Sequence, residues 1–262
     1  MLILFMDIDF LYYVMFFLIS IFSGFYGVIF GGAGFINIPI MITVLGLSVP
    51  EAVATNTFGA LALTSIGAYR FYKDGKADLK LAGFLTLFAL SGAILGIHIL
   101  LSVDETLLKR LMVAALVLAV TLSFVLSDKK EEASLRKVTS RFFDGWKRYI
   151  LAAFAAFPLG VYQSVVSAGY GTMMTYLPVI LFRKTFKEAI GTARLQGVPM
   201  VIFVSAGFAY VGIINYLVGF LLISAMGVGA WMGAGFALKM NPVALRIIFV
   251  LVVGLNVFLL LK

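Results

Sequence analysis

The fold turns on Gly31-Gly32-Ala33-Gly34-Phe35-Ile36-Asn37-Ile38-Pro39, a glycine cluster inside an otherwise apolar run. A companion stands at Ser167-Ala168-Gly169-Tyr170-Gly171-Thr172. Both belong to a duplication, because residues 24–120 recur in weak but constant register 137 positions later. Gly32 and Gly34 match Gly169 and Gly171, while Glu51, Ala52 and Thr55 match Glu188, Ala189 and Thr192. Gly75 matches Gly212, Gly92 and Gly96 match Gly229 and Gly233, and Lys109 matches Arg246. Two copies of an interrupted hydrophobic helix in corresponding halves point to a transporter binding site. The alternative is that these glycines only let helices pack closely, as small residues do throughout membrane bundles.

Composition agrees with the membrane reading. The 262 residues are 63% hydrophobic and 12% charged, against roughly 25% charged in an ordinary soluble domain, and the mean hydropathy is +1.10. With no cysteine, disulfides, cysteine–zinc sites and thiol chemistry are excluded. The net charge of +8 is carried mainly between apolar segments, where membrane topology explains it better than nucleic acid does. Asp7 and Asp9 stand where a signal peptide would carry cations, so the first apolar run is expected to belong to the mature fold.

Apolar runs on the 20-residue scale of a spanning helix occur at Phe10–Phe30, Pro50–Phe71, Leu79–Leu101, Leu107–Leu126, Tyr149–Ser167, Glu188–Tyr210, Tyr216–Leu238 and Pro242–Leu261. Phe35–Leu45 and Thr172–Phe182 are too short to span. No segment alternates with the period of a strand, which argues against a barrel. The expected fold is an all-α integral membrane protein, a polytopic helical bundle of two repeats. Each repeat is a broken, re-entrant hairpin followed by three transmembrane helices. Residues 1–127 form the first repeat, 128–148 a polar linker loop, and 149–262 the second repeat.

Arg70, Lys73, Lys76 and Lys80, the cations of the linker, Arg183, Lys184 and Lys187, and Lys239 and Arg246 mark one side of the membrane. Leu47–Pro50, Ser102–Thr106 and Val211–Asn215 hold no Lys or Arg and mark the other. By the positive-inside rule the first set is cytoplasmic. Lys109 and Arg110 are exceptions near an external end. The span starting at Pro50 then begins outside and its copy at Glu188 begins inside, so the repeats are inverted and both termini are external. Inverted repeats with broken helices place a substrate where the breaks meet near mid-membrane.

Arg194 is the sharpest single residue, an arginine two turns inside an apolar helix. A charge there is expensive and calls for a partner. A bound oxyanion is one candidate, since a guanidinium fork matches it in bidentate fashion; Glu51, Glu188 or snorkelling to the interface are the others. Gln196, Gln163, Ser164, Ser167, Asn56 and Thr57 are neutral companions. Asn37 falls in the first turn of a returning half-helix, where free amides attract anions. Thr55 and Thr192 lie one turn inside Glu51 and Glu188, facing the bundle interior or bonding back to their own helix. The two glutamates read as helix N-terminal charges. His98, the sole histidine, is either a proton carrier or an interfacial hydrogen-bonding group. No nucleophile–base pair, metal-ligand cluster or phosphate loop is present, so neither an enzyme nor a cofactor is expected.

At these residues the chain resembles the TauE/SafE family of sulfite exporters, also described as four-toluene-sulfonate uptake permeases. The resemblance rests on Gly31–Gly34 with Pro39, on Pro50-Glu51-Ala52-Val53-Ala54-Thr55-Asn56-Thr57, on Tyr72–Gly75, on Gly169-Tyr170-Gly171 and on Ala189-Ile190-Gly191-Thr192. It implies a prokaryotic inner-membrane carrier of small sulfur-containing or organic anions, with Asn37, Thr55, Asn56, Thr57, Thr172 and Thr192 in motif positions. The family pattern often carries Ser after the second Gly-Thr, whereas Ala193 and Arg194 follow Thr192 here, which leaves open a different or larger anion. The expected function is a secondary transporter of a small anion, sulfite or a sulfonate, working by alternating access. Its expected site comprises Gly32, Gly34, Asn37, Thr55, Asn56, Thr57, Ser167, Gly169, Gly171, Thr172, Thr192, Arg194 and Gln196. Partners are the anion, lipid, a coupling proton or other ion, and a second copy in a homodimer. A selective anion channel and a non-transporting subunit of a membrane complex are the alternatives.

Overall fold

The computed structural model describes the backbone of residues 2–104, 106–108, 110, 114 and 145–239, with side chains from residue 11 onward. The expected spans Leu107–Leu126 and Pro242–Leu261 and the linker lie outside the described residues, apart from short pieces at their edges. Eight helices are bounded within the described residues: α1 (Leu2–Phe30), α2 (Gly34–Thr43), α3 (Val49–Lys73), α4 (Leu79–Ser102), α5 (Lys147–Val165), α6 (Tyr170–Phe182), α7 (Phe186–Val211) and α8 (Tyr216–Lys239). No strand occurs among them.

Four helical segments are long and apolar enough to cross a membrane: Leu11–Phe30 within α1, and α4, α7 and α8. The expected spans Pro50–Phe71 and Tyr149–Ser167 are helices α3 and α5, of 25 and 19 residues, but more polar. α3 tolerates this because Thr55, Asn56, Thr57 and Thr64 are all buried against other helices. At about 1.5 Å per residue, α2 and α6, of 10 and 13 residues, cover only about half of a 30 Å hydrocarbon core. The bundle is apolar outward, with Phe154, Leu217 and Leu87 widely exposed, and polar inward. That is the arrangement lipid demands, since polar groups facing it would have no partner.

Both glycine clusters interrupt their helices. Gly31 takes a left-handed backbone (φ 85°), and a Cβ there would collide with the backbone of Gly171 and Thr172; only glycine meets both conditions. Ser20 donates to Asn37 Oδ1 (3.4 Å), so α2 folds back beside α1 instead of prolonging it. The second break is one residue longer, spanning 166–169 where the first spans 31–33.

The start of α3 is fixed by a capping box. Ser48 N donates to Glu51 Oε2 (2.9 Å) and Glu51 N to Ser48 Oγ (3.4 Å). At the start of α7, Thr185 and Glu188 repeat this geometry at the same distances. Each box satisfies amides the helix leaves open, so both glutamates serve as helix-start groups.

Long-range packing exchanges partners between halves. In α4, Gly92 and Gly96 sit against the carbonyls of Phe157 and Val161 in α5; in α8, Gly229 and Gly233 sit against those of Ile21 and Phe25 in α1. Between these seams α3 and α7 run antiparallel, with Phe71 beside Gly191, Gly67 beside Arg194 and Thr64 beside Gly197. At the basic end, Lys184 pairs with Asp78 (2.6 Å) and Lys187 donates to Leu238 O (2.7 Å). Among the described residues, Arg70, Lys73, Lys184, Lys187 and Lys239 thus gather at one end of the bundle.

Candidate functional site

A cavity of about 50 Å³ lies where the two breaks meet α3, α5 and α7. About 10–15 Å³ of such volume accommodates one water, so the space suits an occupant of about four non-hydrogen atoms. α7 contributes Arg194, α3 Asn56 and Thr64, α5 Gln163, and the second break Ser167, Tyr170 and Gly171. Arg194 is only 5% exposed, and its Nε and Nη2 have no hydrogen-bond partner. A Cβ on Gly171 would stand 2.9 Å from both terminal guanidinium nitrogens, and one on Gly67 would stand 3.2 Å from Cγ and Cδ. The arginine therefore lies in a slot between two glycines. Neither glutamate neutralises it, since their carboxylates are engaged in the capping boxes.

Neutral groups surround the cation. Ser167 adopts a left-handed backbone (φ 60°), strained for a residue with a Cβ and of a kind that concentrates at functional sites. Its Oγ accepts from Asn56 Nδ2 and donates to Thr57 Oγ1, both at 3.1 Å, because the Thr57 hydroxyl proton is given to Val53 O (2.8 Å). Asn56 Oδ1 is left unpartnered. Tyr170 donates to Gln196 Oε1 (3.0 Å), which leaves Gln196 Nε2 unpartnered. Unpaired buried groups each cost about 1–3 kcal/mol, more when charged.

Of the expected site residues, Gly34, Asn56, Ser167, Gly171 and Arg194 line the cavity. Thr57 and Gln196 stand one hydrogen bond behind it. The other six do not reach it. Asn37 donates to Met226 Sδ (3.4 Å) and accepts from Ser20. Thr172 donates to Phe30 O, tying one break to the other. Gly32 and Gly169 pack on the Phe35 ring. Thr192 Oγ1 donates to Glu188 O (2.7 Å) and accepts from Asp78 N (3.0 Å), while Thr55 Oγ1 accepts from Asn215 N (3.0 Å). Asp78 and Asn215 in turn cap α4 and α8. Each threonine thus fastens a helix start in the opposite half.

The half-helix amides are also less available than expected. Short turns engage Phe35 N, Ile36 N, Tyr170 N and Thr172 N. The amides of Gly34 and Gly171 are not among those turn donors. His98 is exposed on α4 and lines no part of the cavity. Thr64, Tyr170 and Gly67 belong to the site without having been expected there. Tyr170 carried a signal, lying between the paired glycines; Thr64 and Gly67 were two small residues among many.

A lipid-facing bundle with a small hollow holding a buried cation between its helices defines a polytopic helical membrane protein. The sulfite exporter TauE/SafE family profile matches residues 16–259, and the chain belongs to that family of membrane transporters. It is similar to the probable membrane transporter protein YdhB of Bacillus subtilis (strain 168), 26% identical over 232 residues that cover 88% of this chain and 91% of the relative. A probable membrane transporter protein of Haemophilus influenzae is 24% identical over 242 residues, covering 92% and 91%. No solved structure matches the chain.

Proposed function

We propose that the protein is a secondary transporter of a small oxyanion, of the size of sulfite, in a prokaryotic cytoplasmic membrane. One observation carries the reading: Arg194 is buried against the central cavity with unpaired nitrogens and no neutralising carboxylate. A guanidinium in this state gains from any anion that offers two oxygens in its plane. The cavity volume favours a compact inorganic oxyanion over a longer sulfonate in this conformation.

The mechanism follows from the antiparallel pair α3 and α7 and from the exchanged glycine seams. We read the halves 1–127 and 149–262 as inverted repeats joined by the cytoplasmic 128–148 linker, with the basic end inside and both termini outside. Rocking of one half against the other would open the central cavity to each side in turn.

The test is binding and flux of radiolabelled sulfite with purified protein in proteoliposomes. Wild type is expected to saturate and to be competed by other small oxyanions. Arg194→Ala is expected to weaken both signals strongly and Arg194→Lys to recover part, a lysine supplying charge without the fork. Unchanged affinity and flux in Arg194→Ala would remove the cavity from the transport path. Flux that never saturates would assign a channel instead.

A further inference from the structure

At the basic end, away from the central cavity, a second pocket of about 430 Å³ opens between α3 and α8. Arg70, Lys73 and Lys239 line it, against the single carboxylate of Asp74. Among the described residues no ion pair joins any of the three cations to a carboxylate. Arg70 is held in place rather than free to swing: its guanidinium stacks 3.8 Å from the Trp231 ring centroid, and Nη1 donates to Trp231 O (2.8 Å). Lys73 Nζ stands 5.9 Å from the Tyr69 ring centroid. The pocket therefore presents a fixed, net positive rim framed by two aromatic rings.

Its surroundings say what kind of anion would fit. Trp231 and Tyr69 are each about half exposed, at 52% and 56%. Exposed tryptophan and tyrosine beside cations at helix ends mark the headgroup level of a bilayer. Val228, one turn before Trp231 on α8, and Met232, next to it, are exposed at 51% and 58%, an apolar surface of a helix long enough to span. A ligand filling the site would carry a phosphate at one end and hydrocarbon at the other. Basic pockets between helices on the cytoplasmic side meet acidic lipids in this way.

We propose that this pocket binds the headgroup of an anionic phospholipid, its phosphate between Arg70, Lys73 and Lys239 and its acyl chains along Val228 and Met232. The full-length protein, purified in a neutral detergent, is heated with added phosphatidylglycerol, with phosphatidylcholine, or with inorganic phosphate alone. Phosphatidylglycerol is expected to raise Tm by about 3 °C or more, and the other two to do little. The exposed double variant Lys73→Gln/Lys239→Gln, which touches no part of the central cavity, is expected to keep its basal Tm and lose most of the rise. Equal shifts with both lipids would overturn the proposal, as would a double variant that responds like wild type. An equal shift with inorganic phosphate alone would assign the pocket to a soluble anion and overturn the lipid reading.

Discussion

The two halves share their carpentry and differ in their charge. Capping boxes, glycine seams and cap-binding threonines recur at equivalent places in both. Arg194 does not: its counterpart 137 positions earlier is Thr57, a neutral group that bonds Ser167 Oγ. Gln196 corresponds to Gly59, and the Asp78–Lys184 ion pair corresponds to Asn215 and Leu47, which cannot form one. A duplicated scaffold thus keeps the residues that build it in both copies. A residue that holds an anion in one shared hollow is needed only once, and a second arginine in so small a space would repel the first.

The steepest contrast is expected between Arg194→Ala and Thr57→Ala. Losing the buried cation should raise the Kd for sulfite about a hundredfold, whereas losing the threonine should cost about tenfold or less. Calorimetric titration of both variants measures this, and equal losses would break the assignment of charge to one half. Next come the seams, where symmetry predicts equality. Gly92→Ala and Gly229→Ala each drive a Cβ into a carbonyl of the facing helix, and each should destabilise the fold by about 1–3 kcal/mol. Thermal unfolding that separated the two widely would show that the seams are not equivalent.

The threonine clamps should give smaller effects. Thr55→Val and Thr192→Val each strand one cap amide, at about 1 kcal/mol, without changing the affinity of folded protein for the anion. A large affinity loss in either would return that residue to the binding site. The smallest effect is on pH. The Leu81 amide, and after it Lys184, hold the Asp78 carboxyl below its usual range. Its contribution to stability is therefore complete above the ordinary carboxylate pKa of about 4 and fades as pH falls through the lower folded-state value. Asp78→Asn should remove that part of the acid sensitivity, and Asn215→Asp should add a smaller one, since the Val218 amide would still bond the new carboxylate but the position equivalent to Lys184 is Leu47.

Much of this was readable from residue order. The two breaks, the short half-helices and the isolated Arg194 are breaches of an apolar pattern, and a breach stands out whatever it packs against. The direction of a hydroxyl does not. Thr55 and Thr192 each lie one turn inside a helix start, and their position is the same whether they face a hollow or a neighbouring loop. The opposite half decides, by bringing Asn215 and Asp78 to them. Asn37 is placed in the same way, its side chain engaged by Met226, 189 residues away, and by Ser20. Thr64 and Gly67 became part of the site only because α7 crosses α3 at that level.

The exchanged seams also constrain how the chain is made. Ile21 and Phe25 find their close-fitting surface on Gly229 and Gly233, which follow them only after the intervening helices α2 to α7. Until the ribosome has delivered α8, α1 waits in lipid with that face uncovered, so assembly of the bundle is held back until both helices have been made.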